Sequence, residues 1–139
     1  MKDDNDKDGK VDGIMIVHAG QGAEQGALTQ YIWSHRWDLG GNKTRKYDGV
    51  SVNSYIINPE TRIFNKLTYQ TAIGVFCHEF GHLLGLPDLY DINGKHEGVG
   101  EWSLMGGGNW LNYEKSPAGL DGYCRYKLKW IPITDINQV

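Results

Sequence analysis

At 139 residues, 40% of them apolar, the chain has the size of one domain and enough apolar side chain for one core. A net charge of −3 without a basic tract argues against a nucleic-acid partner, and no stretch is long and apolar enough to span a bilayer. The acidic N-terminus does not read as a signal peptide.

The first feature in chain order is the run Asp4, Asp6, Asp8, Gly9 and Asp12, in which alternate carboxylates surround a turn-forming glycine, as in the first half of a calcium loop. It is not an EF-hand. Met15 stands where the bidentate acid would be, and the residues around it read as a strand. A shorter loop, with Asp12 and the Lys10 carbonyl completing the oxygen shell, is expected, against the plainer reading of a solvated acidic tail.

Three strands are predicted before the first helix: Gly13 to His18, about Tyr31 to Trp37, and Val50 to Ile57. Ile14 to Val17 is apolar at every position, which predicts a strand buried on both faces. The glycine-rich stretch from Ala19 to Gly26 lacks the Gly-Lys-Ser/Thr ending of a phosphate loop and reads as a loop near the cleft. His18 and His35, at strand ends, read as hydrogen-bonded structure rather than ligands. Asn58-Pro59-Glu60 reads as the turn that ends the third strand.

Within Leu67 to Leu84, Ile73, Phe76, Phe80, Leu83 and Leu84 recur at helical spacing, with Thr68 as N-cap and Gly85 and Pro87 as the stop. That stripe predicts a face on the core and leaves His78 and His82 toward a cleft. Four residues apart, the two imidazoles sit one turn above each other and can share a metal ion. Glu79 lies beside them in the position of a general base for a water molecule. Gly85 permits a left-handed exit that returns Asp88 as a third ligand and leaves a fourth position open. Gly81 lowers helix propensity, which predicts close packing at that point. Cys77 points about 100° away from His78 and so is not a ligand. Whether it pairs with Cys124 stays open on two cysteines alone.

Further on, Trp102-Ser103-Leu104-Met105-Gly106-Gly107-Gly108 sets a methionine in a glycine-rich turn. Ser116-Pro117 reads as the start of a terminal helix, with Leu120, Tyr123, Cys124 and Leu128 as its apolar stripe. Arg125, Lys127 and Lys129 read as its solvated face.

On the histidine helix, its exit and the methionine turn, the chain resembles the metzincin clan of zinc peptidases, and within it the immune inhibitor A family of secreted bacterial peptidases. The residues that carry the likeness are His78 to Asp91 and Gly98 to Met105. It extends through Val17 to Gly20, Ile32 to Trp37 and Ser116 to Trp130. The resemblance implies an α+β, zincin-like fold: a twisted mixed sheet with an active-site helix, over an irregular lower lobe with a methionine turn and a C-terminal helix. Residues 1–139 would form a single metallopeptidase catalytic domain. Met105 would be the apolar floor under the zinc held by His78, His82 and Asp88. Metzincins most often carry a third histidine where this chain has Asp88, but the immune inhibitor A pattern has the aspartate, and Asp91 and Glu101 stay as alternatives.

The calcium loop at Asp4 to Asp12 also resembles that family. The expected activity is zinc-dependent endopeptidase cleavage of protein or peptide substrates outside the cell, with Glu79 as base. Family members are made with a signal and a propeptide, so the chain reads as N-terminally truncated, missing upstream segments of its own precursor. The rival readings are an inactive calcium-stabilised binding or adhesion module, which would be expected to have lost Glu79, and a purely structural zinc site, which would want a fourth Cys or His.

Overall fold

The computed structural model describes residues 4, 6–25 and 30–134, and Gly26 of the glycine-rich stretch lies outside them. The fold is mixed α+β, built around the long strand β5 (Ser54–Phe64). β1 (Ile14–Gln21) pairs with it in parallel, starting at Ile14↔Tyr55. β2 (His35–Asp38) pairs antiparallel with the first half of β5, and β6 (Leu67–Gln70) with the second. β3 (Arg45–Tyr47) and β4 (Val50–Val52) form a separate hairpin. Asp48 and Gly49 close that hairpin at φ 50° and 90°, the left-handed pair a two-residue turn requires.

Several boundaries differ from the sequence reading: β2 starts at His35 rather than about Tyr31, and Val50 to Ile57 is divided between β4 and β5, which lie in different sheets. β5 does not end at Asn58-Pro59-Glu60 but runs on to Phe64. Pro59 falls between Ile57, the last partner of β2, and Thr61, the first partner of β6, a gap that tolerates a residue without an N–H. Leu67 to Gln70 are strand rather than helix, because Asn65 and Lys66 turn left-handed (φ 49° and 65°) and fold the chain back on β5. The helix α1 therefore spans Ile73–Leu83, with Ala72 at the cap position, and Thr68 caps nothing. The terminal helix α2 is Gly122–Lys127, capped by Asp121, which accepts the Cys124 N–H at 3.1 Å. Ser116-Pro117 does not start it, since Ala118 donates to the Gly108 carbonyl and the Gly119 carbonyl accepts from Leu104.

Two burial expectations are also overturned. The stripe Ile73, Phe80 and Leu84 is 58%, 48% and 42% exposed, while α1 buries Gly74, Val75, His78, Glu79 and Gly81. The helix packs its ligand-bearing face inward, against the segment 103–119. Ile14 to Val17 are 38–53% exposed, because among the described residues β1 has β5 on one side and no strand on the other. The apolar core lies under the helix exit, where Leu86, Met105 and Cys124 are buried among Leu89, Leu104, Leu120 and Leu128. Cys77 and Cys124 are free thiols. No helix among the described residues is long and apolar enough to cross a membrane.

Candidate metal centre

The site is assembled by the way α1 ends. The Gly85 N–H donates to the His82 carbonyl (3.0 Å) and the Leu86 N–H to the Gly81 carbonyl (3.1 Å), the paired bonds of a Schellman motif, with Gly85 at φ 88°. This exit directs the Leu86 carbonyl at His82, whose Nδ1–H donates to it at 2.8 Å. His78 donates its Nδ1–H to the Leu104 carbonyl at 2.9 Å. A carbonyl can only accept, so each ring carries a proton on Nδ1, and when the ring is neutral its lone pair falls on Nε2.

Those lone pairs converge with one carboxylate. His78 Nε2 and His82 Nε2 are 3.2 Å apart, and Asp88 Oδ1 lies 3.1 and 3.2 Å from them. Three electron-rich atoms at this separation repel unless a proton or a cation lies between them. With bonds of about 2.0–2.1 Å, a tetrahedral zinc ion has ligand–ligand edges of about 3.3 Å, so the triangle fits such an ion. Asp91, tied to the backbone N–H groups of Asn93 and Lys95, and Glu101, exposed on the far side of the methionine turn, do not join the triangle.

The electrostatics follow from this crowding. Burial favours the neutral form of Asp88, but the bonds and charge from His78 and His82 outweigh it and hold the carboxyl well below its ordinary range. Burial would lower His82, yet the bond to Asp88 and the Leu86 carbonyl raise it. Glu79 is buried in the wall of the same cleft, and burial raises its pKa despite the pull of both histidines. Tyr90 stacks on His78 (6.2 Å between centroids, 19° between planes), and burial, with Asp88 next to it, pushes its phenol up to about 12. Tyr90 falls within the run His78 to Asp91 that carries the family resemblance, but the sequence assigned it no place at the site. The two carbonyls that orient the histidines carry no side-chain signal at all.

Met105 is fully buried and lies against α1 at Gly81, where an added Cβ would come within 2.5 Å of its Sδ. This is the close packing that the glycine predicted. The cleft, about 890 Å³, is bordered by β2 through His35 and Trp37 and by Trp33 just before that strand, with Tyr90 and Trp110 on other walls. His35 lines it but is tied by Nδ1 to the Trp33 carbonyl (2.7 Å), and His18 lies outside it, with Nδ1 bonded to the Ala19 carbonyl. At the N-terminus, Asp4, Asp6 and Asp8 each bring a carboxylate oxygen within 4.8 Å of the others. The Gly9, Asp8 and Lys10 N–H groups donate to these aspartates, while exposed Asp12 stays apart.

The sequence model of the immune inhibitor A peptidase M6 catalytic domain matches residues 2–129. Immune inhibitor A of Bacillus thuringiensis subsp. alesti is 39% identical over 121 residues, 76% of this chain and 16% of that protein. Pre-pro-metalloprotease PrtV of Vibrio cholerae serotype O1 is 38% identical over 118 residues, 74% of this chain and 12% of that protein. The chain thus spans about a sixth or less of the length of these relatives.

Proposed function

The chain belongs to the immune inhibitor A peptidase family, and from that premise we propose that it carries the metal-binding centre of a zinc-dependent endopeptidase, as part of a single catalytic domain. The observation that carries the reading is the triangle of His78 Nε2, His82 Nε2 and Asp88 Oδ1, three atoms able to ligate a metal gathered on a cleft wall. Those three residues would hold the zinc. When bound, the ion supplies a Lewis acid for water and for a peptide carbonyl.

The chain's own groups do the rest. The Leu86 and Leu104 carbonyls fix the imidazole tautomers, as acceptors on the far nitrogen of a metal-binding histidine commonly do. Glu79, raised by burial and close to the cluster, takes the proton of the attacking water and delivers it to the leaving amine. Met105 forms the apolar floor under the ligand helix, in the manner of a metzincin methionine turn. An extended peptide lies along β2, whose edge away from β5 pairs with no strand among the described residues and borders the cleft. Asp4, Asp6 and Asp8 bind calcium with the Lys10 carbonyl. The substrates are proteins or peptides and the working location is extracellular, both by family resemblance. Retention of Glu79 in the cleft speaks against the inactive binding-module reading.

Metal content and cleavage of an unfolded protein, measured with and without a zinc chelator, test the proposal. About one zinc per chain and chelator-sensitive cleavage are expected. Glu79→Gln should keep the metal and lose at least about 10²-fold in rate, the usual scale of general-base catalysis. Cleavage at full rate by that variant would remove Glu79 from its role, and a folded chain without zinc would end the reading.

A further inference from the structure

The segment 103–119 grips α1 at three points on one face. At its root, Leu104 accepts from His78 and Met105 sits against Gly81. At its tip, the Glu114 carbonyl accepts the Gly74 N–H at 2.9 Å. Positions 74, 78 and 81 are spaced by four and three residues, so they form a single stripe along the helix. The two glycines on that stripe have no room for a Cβ, Gly74 because of the Asn109 carbonyl and the Glu114 side chain. The segment is closed on itself by bonds from Ala118 to Gly108 (2.8 Å) and from Leu104 to Gly119 (3.0 Å) at its root, and from Glu114 to Trp110 (3.2 Å) nearer its tip.

The tip is held at a conformational cost. Asn112, Tyr113 and Glu114 are successive left-handed residues, φ 49°, 55° and 64°, and none is glycine. Strain of this kind persists only where the surroundings over-determine it. Here they do. The Glu114 side chain is 1% exposed, its Oε1 lies 3.2 Å from Arg62 Nη1 on β5, and the same guanidinium donates to the Tyr113 carbonyl at 2.6 Å. The Ala72 N–H at the start of α1, a helix whose own cap residue offers no side-chain bond, also favours the Glu114 carboxylate. A carboxylate at that end satisfies an otherwise unpaired donor and complements the helix dipole.

We propose that Glu114 is a positioning residue for the metal centre: clamped by Arg62, it fixes the N-terminus of α1 against the segment that carries Leu104 and Met105, and so sets where His78 stands relative to Asp88. The Glu114 side chain is buried outside the residues that line the cleft. The proposal rests on the peptidase reading given above.

The test compares Glu114→Ala, Glu114→Gln and Arg62→Met with the unaltered chain, reading kcat and KM on a peptide and the visible absorption of Co(II) bound in place of zinc. Glu114→Ala is expected to lower kcat by about tenfold or more, as small displacements of reacting groups do, with KM held within about twofold and the Co(II) bands shifted. Glu114→Gln, which keeps an acceptor for Ala72, should recover most of the rate and the original bands. If Glu114→Ala does not fold, Arg62→Met should give the same pattern in milder form. Unchanged kcat and Co(II) bands in a variant that merely melts earlier would overturn the proposal. An unaltered chain that binds no Co(II) would instead bring down the peptidase reading, and this inference with it.

Discussion

Two glycines near the end of α1 serve for opposite reasons. Gly81 lacks a side chain because Met105 occupies the space, whereas Gly85 lacks one because its backbone is left-handed, with nothing within 4 Å of where a Cβ would be. Alanine at 81 would gain about 1 kcal/mol of helix propensity, but overpacking against a fully buried thioether costs about 1–3 kcal/mol. The expected result of Gly81→Ala is a net loss of stability in urea denaturation that a smaller residue at 105 relieves. Gly85→Ala should cost about 1–2 kcal/mol through the backbone alone. Replacement of Met105 should leave that loss untouched, and Gly85→Asn should largely avoid it, since asparagine tolerates the left-handed region. A raised urea midpoint for Gly81→Ala would show that Met105 does not constrain the helix.

At the scale of the helix and its exit, the ionisable cluster gives the chain a pH signature when a chelator keeps metal away. His82 is raised, so its contribution to stability is complete below its unfolded value of about 6.5 and fades as pH rises through the folded value. Asp88 is depressed, so its contribution is complete above about 3.9 and fades as pH falls through the folded value. The melting temperature with chelator should therefore gain most from this pair between about pH 4 and pH 6.5, and Asp88→Asn should abolish that gain. A flat difference between the two proteins across that range would refute the coupling. The convergence of His78, His82 and Asp88 was legible in the sequence because it depends on helical spacing and one glycine, both local. The start of α1 was not, because Leu67-Thr68-Tyr69-Gln70 is too short a run for its alternation to exclude a helix, and the turn that folds it back on residues 61–64 is made by Asn65 and Lys66, neither of them a glycine. The inward face of α1 escaped for a related reason. Its buried stripe contains glycines and a histidine, which no apolar pattern marks, and the segment that covers it lies about thirty residues downstream.

Over the whole molecule, the acidic N-terminal turn is joined to the rest by a bridge between Lys10 and Ser51, next to the β3–β4 hairpin. If calcium occupies Asp4, Asp6 and Asp8, it stabilises the chain by RT ln(1 + [L]/Kd), about 2.7 kcal/mol at a hundredfold excess over Kd. A calcium-specific chelator should then lower the melting temperature by several degrees, and an unmoved transition would return the turn to a solvated tail. The closeness in sequence of the three candidate ligands has a different consequence, one that concerns time. All three lie within the single run from His78 to Asp88, so bringing them together closes only a short loop, for which the entropic cost is small. The contacts between α1 and the segment 103–119, and the pairing of β1 with β5, close much longer ones. Of the contacts that make the site, those within His78 to Asp88 therefore close at the lower entropic barrier, and those with the methionine turn at the higher one.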